Sequence, residues 1–93
     1  MQLEWDEKKY KLNIKKHKIT FEQAIHAFFD PMRKEYYDDR HSSLVEDRYI
    51  LFGHALNCVL VVSFTKPEPE RFRIISARKA NKIEEEEFYY ANC

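Results

Sequence analysis

RYILFGH at 48–54 and CVLVVSFT at 58–65, joined through HALN at 54–57, decide the fold. In the first segment Arg48, Ile50 and Phe52 alternate with Tyr49 and Leu51. A period of two belongs to an extended strand with two unlike faces. The second segment is β-branched and almost continuously apolar, as a central strand is. The short link makes the pair a hairpin. Downstream, KPEPE (66–70) reads as a turn and RFRIISA (71–77) as the last strand. Upstream, RKEYYD (33–38) is polar enough for an edge strand, and DDRHSSLVED (38–47) is a loop of turn formers and acids. Four antiparallel strands result.

Helical signals lie outside this block. Thr20-Phe21-Glu22-Gln23 has the form of a capping box, and Phe21, Ala24, Ile25, Phe28 and Phe29 follow as an apolar stripe. Asp30-Pro31 ends that helix, because the residue before proline is pushed out of the α region. Asp6 caps an earlier helix reaching to about His17, with Tyr10, Ile14 and His17 on one side and mostly lysine on the other. Asn81 with Glu84 is the capping signature of a final helix, KIEEEEFYYA (82–91). The expected architecture is a single α+β domain over 1–93: two N-terminal helices, a four-stranded antiparallel sheet and a C-terminal helix. Helices should cover one face of the sheet. Phe21, Ile25, Phe28, Leu51, Val59, Val61 and Ile74 are the expected core.

Composition supports one core and excludes several classes. In 93 residues 44% are hydrophobic, which is too much apolar mass for a disordered chain and too short a chain for two cores. No apolar run approaches the roughly 20 residues of a membrane span, and the charged start MQLEWDEKKYK has no secretory signal. Cys58 and Cys93 form no disulfide framework and read as free thiols in a reducing cytosol. Net charge is zero but segregated: residues 1–34 carry eight Lys/Arg against five acids, 35–47 five acids against one Arg, and 48–83 seven bases against two acids, before Glu84–Glu87. A neutral total argues against bulk adhesion to nucleic acid, though not against a local basic site.

No glycine-rich phosphate loop, paired-cysteine metal site or nucleophile elbow is present. His17, His26, His41 and His54 lack the spacing of a metal cluster, and His54 and Cys58 are separated by a hairpin, so no metal or cofactor is expected. What remains is a set of cations at strand and helix ends. Arg48 shares a strand face with Ile50 and Phe52; Arg73 alternates with Ile75 and Ala77, while Arg78 falls with Ile74 and Ser76. Lys16 and His17 close the first helix. These groups either converge on a phosphate, where guanidinium forks bind oxygens and an imidazole moves protons, or the arginines pair with Asp38, Asp39, Glu46 and Asp47 while His17 packs into the core. Glu84–Glu87 is either a solvated face near a helix N-terminus or a patch for a basic partner. Phe88, Tyr89 and Tyr90 either pack that helix down or stack on bases.

The whole pattern resembles the BrnT family of bacterial type II toxins. EWDEKK (4–9), Asn13 with KKH (15–17), Thr20-Phe21 with Ala24, FFDP (28–31), DRHS (39–42), EDRYILFG (46–53), VLVVSFT (59–65) and RIISARKA (73–80) occur in order at family-like spacing. The resemblance implies a RelE-like fold and a cytoplasmic, metal-independent endoribonuclease that arrests growth. Its RNA-binding cations would lie on the concave face of the sheet. The implied catalytic residues are His17, Arg48 and Arg78, and the implied RNA-binding residues are Lys16, Arg73 and Lys79. A BrnA-like antitoxin with a ribbon-helix-helix domain is the implied partner, and DNA is met only through it. Two features depart from the family: Lys18 stands where glycine is common, which predicts a different end to the first helix, and the last helix opens on four glutamates. The acidic helix and the neutral charge also suit an alternative, in which the fold serves mainly as a partner of an antitoxin-like repressor.

Overall fold

The computed structural model describes residues 1–91; Cys93 lies outside them. Along the chain run β1 (Gln2–Trp5), α1 (Glu7–His17), α2 (Phe21–Phe28), β2 (Lys34–Tyr37), β3 (Arg48–Ala55), β4 (Cys58–Glu68), β5 (Arg71–Lys79) and α3 (Lys82–Ala91). The strands form one sheet in the order β1-β5-β4-β3-β2. The four later strands pair antiparallel, β3 with β4 from Arg48↔Thr65 to Ala55↔Cys58. The expectation of an all-antiparallel, four-stranded sheet is corrected by β1, which runs parallel to β5 from Gln2↔Arg71 to Trp5↔Ile74. QLEW offers only Leu3 and Trp5 as apolar residues. Its extended state comes from the free edge of β5, a partner some 70 residues away, rather than from a local pattern.

Helix α2 forms as its capping box requires. The Thr20 hydroxyl accepts from the Gln23 amide at 3.1 Å, and the Gln23 side chain accepts from the Thr20 amide at 3.0 Å. Its stripe packs on β3 and β4. Phe21, Ala24, Ala27 and Phe28 are buried against Leu51, Leu60, Val62, Phe64 and Ile74; of the expected core only Ile25 stays partly exposed, on the flank of α2. Gly53 makes the close approach possible, because a Cβ there would sit 2.6 Å from the Ala27 carbonyl oxygen. Helix α1 starts after Asp6, whose backbone is extended but whose side chain makes no capping bond. It ends at Lys18 in the left-handed conformation (φ 61°, ψ 24°), with the Lys18 amide donating to the Ile14 carbonyl at 2.9 Å. Lysine thus occupies a helix-ending geometry that favours glycine, and the helix ends in that ordinary way despite the substitution.

Asn13, the one buried residue of α1, continues the sheet past the end of β1. Its side-chain oxygen accepts from the Ala77 amide at 3.0 Å, and its nitrogen donates to the carbonyls of Ala77 (2.8 Å) and Ile19 (2.9 Å). Trp5, Tyr10 and Phe21 pack as an aromatic trio at this corner, centroids 5.2–5.7 Å apart.

A bulge in β5 sets which side chains share a face. Ser63 pairs with Ser76 and Phe64 with Ile74, so Ile75 is an extra residue. It reverses the alternation. Phe72, Ile74 and Ala77 all belong to the core side, and Arg73 and Arg78 lie together on the other, which corrects the opposite-face reading of simple alternation. The helices are also divided between faces. α1 and α2 cover the core side, whereas α3 lies across the far side, where Phe88 is buried beside Tyr36 and Phe52 and the Tyr89 hydroxyl meets His54 Nε2 at 2.7 Å. Of the three terminal aromatics, Phe88 packs the helix down and Tyr90 stays exposed.

Candidate functional site

Beyond the reach of α3, the open face of the sheet carries a groove of 310 Å³, at the small end of ligand sites. Arg48 from β3, Ser63 from β4, Ser76 and Arg78 from β5, and Asp38 and His41 from the β2–β3 loop line it. Each strand contributes by alternation: Leu51, Leu60, Val62 and Ala77 go to the core, and the residues between them to the groove. A broader cleft of 720 Å³ adjoins it, sharing Ile75 and Ser76 and lined on its far side by Lys16 and His17 at the end of α1. The bulge at Ile75 therefore sits where the two cavities meet. Asn13, anchoring α1 to Ala77, fixes the distance of His17 from β5.

The electrostatics differ from residue to residue. Burial holds the His17 imidazole below its ordinary pKa, and the positive charges of Lys16 and Arg78 push the same way. Arg78 is held by Glu84, the first glutamate of the acidic run: Nη1 donates to Oε1 and Nη2 to Oε2, both at 2.8 Å. This bond raises the Arg78 pKa and lowers that of Glu84. The Glu84 carboxylate also closes the expected capping box of α3, accepting from the Asn81 amide at 2.9 Å while the Asn81 side chain accepts from the Glu84 amide at 2.8 Å. Arg48 Nε donates to Glu46 at 3.2 Å, and its backbone amide donates to the Ser42 hydroxyl at 2.9 Å. Both arginines are thus on the groove and ion-paired at once.

The structure brings Arg48 and Arg78 into one groove and sets His17 and Lys16 on its neighbour. Arg73 lies farther along β5, where its Nε donates to Glu4 at 2.7 Å, in a separate 330 Å³ cavity with Thr65 and Lys66. Lys79 has the parity of Ala77, away from Arg78, and lines none of these cavities. Sequence reasoning passed over Asp38 and His41. Asp38 is buried (8% exposed), and its Oδ2 lies 2.8 Å from His41 Nδ1. The available signal was the Asp-x-x-His spacing at 38–41, in a segment read as a loop whose acids could pair with arginines and whose DRHS fits the family pattern, with no role given to His41. Chemically, the open face offers two guanidinium forks for anionic oxygens and imidazoles at two edges of the same surface.

Among curated proteins none matches the sequence. A solved structure that the chain resembles is that of the Brucella abortus ribonuclease toxin BrnT, with 26% sequence identity, a TM-score of 0.65, and 88% of this chain and 99% of that one covered. The family model for the ribonuclease toxin BrnT of type II toxin–antitoxin systems matches residues 5–84, from the last residue of β1 to the glutamate that holds Arg78. With most of its length matched by that model, the chain belongs to the BrnT family of ribonuclease toxins.

Proposed function

We propose that the chain is a RelE-like endoribonuclease that cleaves cellular RNA without a metal ion and so arrests growth in the cytoplasm. A BrnA-like ribbon-helix-helix antitoxin neutralises it and supplies the contact with DNA. The observation that carries this reading is the convergence of Arg48 and Arg78 on one groove, with His17 on the adjoining rim. In the reaction a ribose 2′-oxygen attacks the adjacent phosphorus, the bond to the 5′-oxygen breaks, and a 2′,3′-cyclic phosphate and a 5′-hydroxyl result. Arg48 and Arg78 neutralise the oxygens of the pentacoordinate phosphate. His17, held neutral by burial and its cationic neighbours, accepts the 2′-hydroxyl proton. Lys16 guides the incoming strand along the cleft, and Arg73 extends the contact to a flanking phosphate, whereas Lys79, on the opposite face of β5, has no part in it.

Purified chain incubated with RNA tests this. Cyclic-phosphate ends should form at an unchanged rate in EDTA, and Arg48→Ala with Arg78→Ala should abolish them. Induced expression should arrest growth, and co-expression of a neighbouring ribbon-helix-helix gene should restore it. The bidentate hold of Glu84 on Arg78 favours a second reading, in which the chain acts mainly as an antitoxin partner. Complex formation without RNA cleavage is the outcome that selects it.

A further inference from the structure

From the loop between β2 and β3 we infer that His41, oriented by Asp38, is a second proton-transfer residue and protonates the departing 5′-oxygen. This deepens the ribonuclease reading and rests on it.

Asp38 is fixed from every side: its amide donates to the Arg48 carbonyl at 2.8 Å, and its own carbonyl accepts from the Ser42 amide at 3.0 Å and the Ser42 hydroxyl at 2.7 Å. These bonds anchor its backbone, and its nearly buried carboxylate meets His41 Nδ1 at 2.8 Å. A carboxylate has no proton to give, so Nδ1 donates and Nε2 is left for a proton in transit. The imidazole itself is 65% exposed, which leaves it accessible to RNA. This is the carboxylate–imidazole arrangement that selects a tautomer and orients the ring.

Position supplies the second argument. Asp38 and His41 line the groove that holds Arg48 and Arg78, whereas His17 lines the adjoining cleft across Ser76. Two imidazoles at different edges of one phosphate-binding surface suit a displacement that takes a proton on one side of phosphorus and gives one on the other. Their surroundings divide the roles. The charged groups around His17 are the cations Lys16 and Arg78. Those around His41 are Asp38 on its own loop, Arg48 on β3, itself paired with Glu46, and Arg78 on β5, itself paired with Glu84. The anion in direct contact belongs to His41, where it holds the Nδ1 edge and leaves Nε2 facing outward. In the balanced step the 2′-oxygen lone pair forms the new bond to phosphorus as its proton passes to His17. The electron pair of the breaking bond leaves with the 5′-oxygen, which takes its proton from His41 Nε2.

The test compares two RNA oligonucleotides, one with an ordinary 5′-oxygen and one with a bridging 5′-sulfur, whose thiolate departs without a proton. His41→Ala should lower kcat on ordinary RNA about 10²- to 10⁴-fold, the usual range for a general acid. KM should change little, the loss on the sulfur substrate should be within about tenfold, and the high-pH limb of the kcat profile should vanish. Asp38 acts as a positioning residue, so Asp38→Asn should shift that limb and keep part of the rate. His41→Ala cleaving ordinary RNA within threefold of wild type, or losing equally on both substrates, overturns the inference and leaves the ribonuclease reading standing. Wild-type protein that cleaves neither substrate overturns the ribonuclease reading, and this inference with it.

Discussion

Glu84 accepts from both terminal nitrogens of Arg78 at 2.8 Å, and the same carboxylate caps α3 through the Asn81 amide at 2.9 Å. A groove arginine is thereby tied to the first turn of the helix that covers the rest of the open face. An RNA phosphate seeking the Arg78 fork must displace a carboxylate already seated in it. Glu84→Gln keeps a residue able to close the capping box and removes the competing charge. The pair is partly exposed, with Arg78 41% accessible, so the competition costs about 1 kcal/mol at most. The expected result is a rise of up to about fivefold in kcat/KM on RNA, measured at low salt, with thermal stability nearly unchanged.

Removal of the arginines should act in the opposite direction. Arg48→Ala and Arg78→Ala should each cost about 2–4 kcal/mol of transition-state stabilisation, tens- to thousand-fold in rate. Growth on induction and cyclic-phosphate yield in vitro both read this. Unchanged toxicity in the double variant at equal expression would remove the groove from the mechanism.

pH dependence follows from His17. Its imidazole protonates at lower pH in the folded chain than in the unfolded one, because of burial first, then Lys16 and Arg78. As pH falls through about 6.5, the ordinary histidine value, the unfolded chain takes up this proton first. The His17 contribution to stability is therefore complete above that pH and declines below it until the folded group also protonates. The acid limb of kcat/KM should lie below 6.5 for the same reason. Titration by NMR should show the His17 pKa rising in Arg78→Ala, since one of the charges holding it down has gone.

Two substitutions test how the site is held. Asn13→Ala leaves the Ala77 amide and two carbonyls without their partner, at about 1–3 kcal/mol for each buried group left unsatisfied. Gly53→Ala drives a methyl against the Ala27 carbonyl and should cost about 1–3 kcal/mol as the α2–β3 contact opens. Urea denaturation reads both. Asn13→Ala should in addition lower RNA cleavage by more than its stability loss explains, because α1 carries His17.

Legibility followed the range of the interactions. The capping boxes at Thr20 and Asn81 and the alternation through Arg48–Phe52 act within a few residues, and the structure holds each where the sequence suggests. β1 was invisible because Gln2–Trp5 is made a strand by Arg71–Ile74. The bulge at Ile75 was invisible for a related reason: RFRIISAR alternates tolerably in either register, and only pairing with Ser63 and Phe64 reveals the extra residue. That one residue decides whether Arg78 faces the core or the groove. Asn13 belonged to the family pattern without an assigned purpose, which the Ala77 contacts supply. The covering of the open face by α3 was missed because helices were expected on one face only, although Phe88 and Tyr89 carried the signal.

Type II systems pair a toxin with a protein inhibitor, and a ribonuclease held silent in its own cell needs an interface of roughly 1,500 Å² or more. Charge on this chain is divided into basic 1–34 and 48–83 and acidic 35–47 and 84–87, so a partner carrying both signs gains specificity and association rate. If the inhibitor covers the groove, its acidic side chains meet Arg48 and Arg78, and binding and RNA cleavage become mutually exclusive. Co-expression with a ribbon-helix-helix protein, if one is encoded beside this chain, should yield one complex on size exclusion with no RNA cleavage. Arg48→Glu should weaken that complex about tenfold or more, and raised salt should slow its formation. A complex that forms equally well with Arg48→Glu would place the antitoxin elsewhere on the molecule. A lone monomer beside a folded neighbour that fails to relieve toxicity would refute the partnership itself.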